Sequence, residues 1–196
     1  EIADSFAIFV SQVHEQGAIF CHHSAANLLA QRGPYPASLV TYGSHPDADW
    51  SASEIGYDGK KTRFLLTVEG AEQGWFELKL AGQHNVENAV AALAACSKAG
   101  VGLDQLREIL PGFTGVRRRF ETLLEAPDLT VVNDYAHHPT EVKAVLSTAR
   151  AVFKGRRIWC VFQPHQYSRT RMFLDDFGTS FEDADRVIIP DIYAAR

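Results

Sequence analysis

The sequence predicts an α/β protein whose second half is built on a parallel sheet. Residues 129–132 and 158–162 are short apolar runs typical of buried strands. Residues 141–152 and 167–181 carry apolar side chains at helical spacing, and residues 187–189 form a third apolar run. This alternation of strand and helix predicts parallel strands connected by right-handed crossovers.

The first part of the chain predicts a mixture of short elements. Apolar residues recur at helical spacing over residues 2–13, which predicts an opening helix with Gly17 as its C-cap. Short strands are predicted at residues 18–21 and 38–42, with a short helix at residues 25–31 between them.

An antiparallel region follows these elements. Strands are predicted at residues 63–68 and 75–80, with turns at Asp58-Gly59 and Glu69-Gly70. The stretch Gly56-Tyr-Asp-Gly-Lys-Lys-Thr62 is too short for a phosphate loop and no helix is predicted after it, so we interpret it as a hairpin turn.

Two helices and a glycine-bearing turn close the first part. The helices are predicted at residues 82–99 and 103–110, and the turn ends at Gly115. We place a domain boundary there, which divides the chain into residues 1–115 and 116–196.

Composition indicates an ordinary globular protein of one or two domains. Of the 196 residues, 46% are hydrophobic and 22% are charged, and the formal net charge is -5. A negative chain offers no general attraction for a polyanion, which argues against non-specific nucleic-acid binding. No apolar run is long enough to span a membrane and the first residues do not resemble a signal peptide, which predicts a cytoplasmic protein with no membrane partner.

The three cysteines favour no special chemistry. Cys21, Cys96 and Cys160 stand singly in apolar surroundings without C-x-x-C spacing. This predicts reduced core thiols rather than disulfides or a metal site.

Polar side chains crowd the two loops that follow the predicted strands of the second half. Residues 134–141 include His137, and residues 163–171 include His165 and Arg169. Because the carboxyl ends of parallel strands open on the same edge of a sheet, we expect both loops to line one ligand-binding crevice.

Two asparagines at the start of the helix over residues 82–99 are a second candidate site. Asn85 and Asn88 lie one turn apart on one face, and a carboxamide can both donate to and accept from the N6 and N7 edge of adenine. The alternative is that Asn85 caps the helix while Asn88 is solvated, and the local sequence favours this alternative.

Three successive arginines, residues 117–119, follow the turn at Gly115. They are typical of a solvated linker, but forked guanidinium groups beside such a turn also suit phosphate or ribose oxygens. The arginines alone leave both interpretations open.

Four motifs, in this order along the chain, together resemble the Mur ligase family. The similarity extends over essentially the whole chain. The motifs are Gly82-Gln-His-Asn-Val-Glu-Asn88, Gly115-Val-Arg-Arg-Arg-Phe120, Asp134-Tyr-Ala-His-His-Pro-Thr-Glu-Val142 and Phe162-Gln-Pro-His-Gln-Tyr-Ser-Arg-Thr-Arg171.

The resemblance implies an ATP-dependent amide ligase of peptidoglycan synthesis. The motif sequences are most similar to those of the branch that adds L-alanine to UDP-N-acetylmuramate. In that reaction ATP phosphorylates the lactyl carboxylate, and the amine of L-alanine then attacks the acyl phosphate. The expected cofactors are ATP and Mg²⁺, and the expected partners are these two small molecules. Arginines and histidines suit this chemistry because they position anionic groups and neutralise developing negative charge.

The resemblance also implies the fold and the nucleotide-binding residues. Residues 1–115 would be the C-terminal half of a central ATPase domain with an antiparallel β appendage. Residues 116–196 would begin a Rossmann-like, parallel-sheet C-terminal domain that binds the amino acid. The residues with an implied nucleotide role are His84, Asn85 and Asn88 at adenine, Arg119 at the nucleotide and Asp134 at the ribose.

In the C-terminal domain the resemblance implies the groups that meet the muramoyl and amino-acid carboxylates. These substrate-binding residues are Tyr135, His137, His165 and Arg169. The two histidines and Arg169 are also the implied catalytic residues. His138 is expected instead to cap the helix that starts at Pro139.

Two features depart from the family pattern. Gln166 stands where several members have arginine, so Arg169 and Arg171 are left to provide positive charge for the substrate carboxylate. The family's glycine-rich phosphate loop and magnesium ligands are not among the 196 residues, so we expect the metal ligands outside this chain. We therefore expect an internal piece of a longer ligase.

Two alternatives stay open at this point. One is a non-catalytic nucleotide-binding or interaction module derived from a Mur ligase, and the other is a relative that attaches a recycled tripeptide. A coding sequence that continues past both ends, with a phosphate loop upstream, would select the ligase over the module.

We predict that a purified polypeptide of only these 196 residues neither hydrolyses ATP nor forms the amide, because the groups that cradle the phosphates are not in it. The measurement is ADP release with UDP-N-acetylmuramate present, with and without L-alanine. Release of ADP that depends on L-alanine would contradict the prediction.

Overall fold

Apolar strands in the first half of the chain assemble into one mixed sheet. Strands β1 to β3 run parallel, and β3 to β5 form an antiparallel meander. In the computed structural model, which describes residues 2–194, the spatial order is β1 (Ala18–His22), β2 (Ser38–Gly43), β3 (Trp50–Tyr57), β4 (Thr62–Val68) and β5 (Ala71–Leu78).

Four helices accompany this sheet. Helix α3 covers it, and Val86 and Val90 of α3 are fully buried in a core with Phe64 and Phe76, whose rings stack 5.9 Å apart. The apolar face of α3 thereby fixes the helix against the antiparallel strands. The helices are α1 (Ile2–Val10), α2 (His23–Ala30), α3 (Gln83–Lys98) and α4 (Leu103–Ile109), and a 3₁₀ turn at Leu110–Gly112 follows α4.

Both predicted hairpin turns are present. Asp58 and Gly59 lie between β3 and β4, and Glu69 and Gly70 lie between β4 and β5. Glu69 and Gly70 both have positive φ, at 48° and 79°. Two left-handed residues are the geometry of a two-residue turn that matches the twist of antiparallel strands.

Two local predictions in this half are wrong. Helix α1 ends at Val10, well before Gly17, which is therefore not its C-cap. A Cβ atom at position 17 would lie 2.8 Å from the Cγ1 atom of Val13, so a larger residue there would have to displace a neighbouring group. The cysteines are all free thiols, but Cys96 is exposed on α3 and is not a core residue.

The second half of the chain forms a separate compact unit. The structure divides into residues 1–114 and 115–196, whereas the sequence placed the boundary after Gly115. Strand β6 pairs antiparallel with β7, and β8 pairs parallel with β9. The elements are β6 (Glu121–Glu125), β7 (Thr130–Asn133), α5 (Pro139–Val152), β8 (Trp159–Val161), α6 (Tyr167–Met172), α7 (Leu174–Gly178) and β9 (Arg186–Ile188).

The strands of this unit, which the sequence predicted to be buried, are only partly so, because Trp159 and Val161 of β8 are exposed. Val142 and Leu146 of α5 pack with Ile158 and Phe162, which flank β8, and with Phe177 of α7. These apolar contacts hold α5 against β8, so both strand-to-helix loops start from a fixed frame.

The long helix predicted over residues 167–181 is divided in two. Phe173 leaves the helical conformation, with φ -111° and ψ 26°, and its ring packs edge-on against His138 at 4.6 Å. The tertiary contact of Phe173 therefore overrides the continuous helical spacing of the sequence.

Among residues 2–194, no helix is both long and apolar enough to cross a lipid bilayer.

Candidate functional site

A cavity of about 890 Å³ lies within the second unit, between β7 and β8. These two strands are not hydrogen-bonded to each other in the described chain. The loop after β7 contributes Tyr135 and His137 to the cavity wall, and the loop after β8 contributes Gln163 and His165. The two loops therefore line one crevice, as the alternation of strands and helices predicted.

Asp134 fastens the loop that follows β7. Its two carboxylate oxygens accept hydrogen bonds from the backbone N–H groups of Phe120 and Ala136, each at 2.7 Å. The first bond ties the segment before β6 to the end of β7. Each oxygen keeps a further lone pair, so the predicted ribose contact of Asp134 is compatible with this structural role.

Glu141 holds the next part of the same loop. One of its oxygens accepts from the backbone N–H groups of His137 at 2.9 Å and His138 at 3.2 Å. Partial burial acts to raise the pKa of Glu141, but these two donors and the nearby His137 and Arg119 side chains hold it below its ordinary value of 4.5. Glu141 is therefore ionised at neutral pH.

The His137 ring is oriented by its own loop. Its Nδ1 atom lies 2.9 Å from the carbonyl oxygen of Tyr135 and 3.4 Å from the Glu141 carboxylate. Because both neighbours are acceptors, Nδ1 carries the proton. This leaves Nε2 as the atom that can engage a ligand.

His138 caps α5, as the sequence predicted. Its ring nitrogen accepts from the backbone N–H of Thr140, and Glu141 accepts from the backbone N–H of His138, which together form a capping box. Pro139 occupies the first turn of the helix, where no backbone donor is needed. His138 therefore has a structural role.

Tyr135 is held by Arg118. The Arg118 guanidinium lies over the Tyr135 ring at 4.3 Å, and the backbone N–H of Tyr135 donates to the carbonyl oxygen of Arg118 at 2.8 Å. Both residues line the cavity. The sequence singled out Arg119 among the three arginines, and it is Arg118 that forms these contacts.

The loop after β8 is held by the segment that follows β9. The backbone N–H of Tyr193 donates to the carbonyl oxygen of Pro164, and the backbone N–H of Gln166 donates to the carbonyl oxygen of Tyr193. The rings of His165 and Tyr193 stack at 5.5 Å. Gln166 has a φ of 70°, a left-handed conformation that costs a non-glycine residue about 1–2 kcal/mol.

Arg169 and Arg171 lie on α6 and are not among the residues that line the cavity. Within residues 2–194, the Arg169 guanidinium makes no hydrogen bond or ion pair. Arg169 is partly buried and Arg171 is exposed. The role predicted for Arg169 stays a prediction.

The predicted adenine-binding residues lie in the first unit, in the first two turns of α3. The N-cap of this helix is Gly82, without a side-chain hydrogen bond, so the alternative in which Asn85 caps the helix is wrong. The Asn85 amide instead donates to the carbonyl oxygen of Ala81 at 2.7 Å, which leaves its own oxygen as a free acceptor. His84 is half-buried, and Asn88 is exposed, as the alternative of a solvated Asn88 expected. The adenine-binding role of these residues stays a prediction.

A hydrogen-bond network beside this helix was not predicted from the sequence. Glu87 accepts from Ser44 at 2.8 Å and from Gln83 at 3.1 Å, and it lies 3.5 Å from the Nε2 atom of His22. The network connects the ends of β1 and β2 with α3. Because these residues come from distant parts of the sequence, no local sequence pattern predicts the network.

The described residues provide no evident metal site. Within residues 2–194, no group of three or more histidine, cysteine, aspartate or glutamate side chains is arranged to hold an ion.

Comparison with protein-family models identifies both halves of the chain. Residues 1–96 match the Mur ligase middle domain, and residues 118–191 match the glutamate ligase domain of Mur ligases. The chain belongs to the Mur ligase family. The two matched regions lie in the two compact units.

Curated Mur ligases are similar over nearly the whole chain. The UDP-N-acetylmuramate--L-alanine ligase of Salinibacter ruber is 41% identical over 195 residues, which cover 100% of this chain and 41% of that protein. The ligase of the same name from Anaeromyxobacter sp. is 45% identical over 193 residues, which cover 97% of this chain and 41% of that protein. The chain thus spans about two fifths of the length of these relatives.

Solved structures of Mur ligases have the same fold. UDP-N-acetylmuramate-alanine ligase MurC from Thermotoga maritima matches with a TM-score of 0.71 at 29% identity, over 85% of this chain and 36% of that chain. A murein peptide ligase from Psychrobacter arcticus matches with a TM-score of 0.65 at 26% identity, over 96% of this chain and 40% of that chain. Both halves of the predicted Mur ligase α/β fold are confirmed.

We predict that Glu141→Gln destabilises the second unit at neutral pH by about 0.5–1 kcal/mol, because glutamine keeps an acceptor but loses the charge. This value is at the low end for a charged acceptor because the Glu141 side chain is 37% exposed. Since the folded-state pKa is lowered, the stabilisation by Glu141 is present above pH 4.5 and is lost as the pH falls below it.

The measurement is urea unfolding followed at the amide NMR signals of α5, from pH 3 to pH 7. Glu125→Gln, at an exposed position in β6, is the matched control and should behave like the unmodified chain. If the free energies of unfolding of Glu141→Gln and the unmodified chain differed by the same amount at every pH, the stabilisation could not be assigned to the ionised Glu141 carboxylate.

Proposed function

We propose that this chain forms part of an ATP-dependent ligase that joins L-alanine to UDP-N-acetylmuramate in peptidoglycan synthesis. One observation carries the proposal, namely the 41–45% identity, over nearly every residue of the chain, to ligases named for this reaction. The crevice contributes to it with cationic and hydrogen-bonding groups that suit carboxylate ligands.

The reaction requires an activated carboxylate. ATP transfers its γ-phosphoryl group to the lactyl carboxylate of UDP-N-acetylmuramate, which gives an acyl phosphate and ADP. The amine of L-alanine attacks the carbonyl carbon, the tetrahedral intermediate expels inorganic phosphate, and the amine loses a proton. The protein contributes by positioning the three ligands and by stabilising negative charge on the phosphoryl and carbonyl oxygens.

The first unit would recognise the nucleotide. The free oxygen of the Asn85 amide can accept from the N6 amino group of adenine, and Asn88 presents a second carboxamide one turn further along the same face. His84 lies beside them. In the second unit, Arg119 and Asp134 are the residues with a proposed nucleotide role, at the nucleotide and at the ribose hydroxyls respectively.

The second unit would bind the carboxylates at the reaction centre. His137 offers Nε2 from a ring whose other nitrogen is already engaged, and His165 lines the same cavity. Tyr135 forms the wall beside His137, at 5.1 Å between ring centroids. Arg169 provides a full positive charge, while Gln166, which stands where several family members have arginine, provides only a hydrogen bond.

A second candidate is a ligase that attaches a recycled peptide. The similarity to a murein peptide ligase structure, at 26% identity over 96% of this chain, supports it. The higher identity to the alanine ligases favours L-alanine as the substrate.

We expect a ligase-length protein that carries residues 1–196 to release ADP only when both UDP-N-acetylmuramate and L-alanine are present. In that protein, Asn85→Ala and Asn88→Ala should each raise the Michaelis constant for ATP about two- to twelvefold, the equivalent of one hydrogen bond. The Michaelis constant for L-alanine should stay unchanged in both variants.

Lys98→Ala, at the exposed far end of α3, is the control for general effects on this helix. If Asn85→Ala and Asn88→Ala changed only the dependence on L-alanine, the adenine assignment would be wrong. If ADP release required a tripeptide in place of L-alanine, the second candidate would replace the first.

A further inference from the structure

We infer that Tyr193 is a positioning residue for His165, and that its ring rather than its hydroxyl group performs this role. The inference rests on the proposed function and deepens it, since His165 is proposed to meet a substrate carboxylate. Neither the motifs nor the family resemblance assigned a role to Tyr193.

The backbone of Tyr193 fixes the main chain on both sides of His165. Its N–H donates to the carbonyl oxygen of Pro164 at 2.9 Å, and its carbonyl oxygen accepts from the N–H of Gln166 at 3.0 Å. His165 and Tyr193 thereby form an isolated parallel β-bridge. Both residues next to His165 are thus bonded to one residue, which fixes the Cα position of His165.

The side chain of Tyr193 then orients the imidazole. The two rings stack with centroids 5.5 Å apart and planes 18° apart, which lies in the range of favourable offset stacking. No hydrogen bond is recorded between the His165 ring and any described residue of the chain. The stacked phenol ring is therefore the contact that sets the plane of the imidazole.

The topology explains why Tyr193 can reach His165. Strands β8 and β9 are parallel neighbours, so the segments after both strands leave the sheet at the same edge. Phe162 continues the pairing through its N–H bond to the carbonyl oxygen of Ile188, and Tyr193 closes it at His165. Tyr193 and His165 both line the cavity, so the stacked pair faces the proposed substrate.

The hydroxyl group of Tyr193 has no recorded partner among residues 2–194, and the side chain is 58% exposed. A tyrosine that served through its hydroxyl group would be impaired by phenylalanine, whereas a stacking residue would not. Tyr193→Phe and Tyr193→Leu therefore separate the two roles. The backbone bonds of residue 193 do not depend on its side chain and are available to both variants.

The first experiment measures the His165 ring directly in the 196-residue chain. In Tyr193→Leu the ring-proton NMR signals of His165 should move, because the ring current of the stacked phenol is lost, while Tyr193→Phe should leave them nearly unchanged. Tyr167→Leu is the matched control, since Tyr167 is also an exposed tyrosine, at 62%, and no ring contact with His165 is recorded for it. The amide signal of Gln166 reports whether the loop stays folded.

Unchanged His165 signals in Tyr193→Leu would overturn the inference. If the Gln166 amide signal of Tyr193→Leu shows that the loop is no longer folded, Tyr193→Phe becomes the deciding variant. In that case a large shift of the His165 signals in Tyr193→Phe, with Gln166 intact, would equally overturn it.

The second experiment measures amide formation by a ligase-length protein that carries these residues. Tyr193→Leu should lower kcat/KM for L-alanine by between about twofold and tenfold, the range that the loss of one aromatic pair allows. The Michaelis constant for ATP should not change, and Tyr193→Phe should restore kcat/KM. Equal losses in both variants would assign the role to the hydroxyl group and overturn the inference.

The two experiments separate the inference from the proposed function. A ligase-length protein that is inactive before any substitution would refute the proposed function. The ring signals of His165 would still decide whether Tyr193 orients that ring.

Discussion

The candidate site depends on two carboxylates that bind backbone N–H groups in the loop between β7 and α5. Asp134 accepts hydrogen bonds from the backbone N–H groups of Phe120 and Ala136. Glu141 accepts them from the backbone N–H groups of His137 and His138. Four donors that would otherwise need water or a ligand are satisfied inside the protein. A polar loop can therefore keep one conformation, and the side chains of Tyr135 and His137 are directed before any ligand arrives.

The second loop obtains the same rigidity from a different source. Residues 163–166 contain no acidic side chain, and they are held instead by backbone bonds and ring stacking from the segment after β9. Left-handed conformations occur in both halves of the site, at Arg118 and Phe120 before β6 and at Gln166 before α6. Such strain persists only where neighbouring bonds determine the backbone, which is the case for Phe120 and Gln166.

Most elements of the fold follow from local sequence, because apolar periodicity and turn residues are read over short distances. The hairpins, the helix α3 and the cap at His138 are of this kind, and they were predicted correctly. The errors arise where a distant contact prevails over a local preference. Phe173 interrupts a helical pattern because its ring packs on His138, 35 positions earlier in the chain.

The site shows the same division between local and distant effects. His137 and His165 were proposed because their motifs are recognisable in the sequence, but the residues that orient them have no sequence signal of their own. Tyr193 meets His165 through the pairing of β8 with β9, and Arg118 meets Tyr135, 17 positions later in the chain, through a contact between two loops. Sequence motifs predict the groups that contact ligands, whereas the residues that orient those groups become apparent only in the three-dimensional structure.

The charges around the crevice are of both signs, although the chain as a whole carries a net charge of -5. Arg118 and Asp134 line the cavity beside the two site loops, together with two histidines. Arg156 and Arg157 precede β8 and Asp128 precedes β7, at the opposite ends of these strands. Both oxygens of Asp134 already accept backbone donors, so its negative charge is partly balanced by N–H dipoles rather than directed wholly at the ligand. The overall net charge is therefore a poor guide to this site, because the local field depends on which charges the backbone has already engaged.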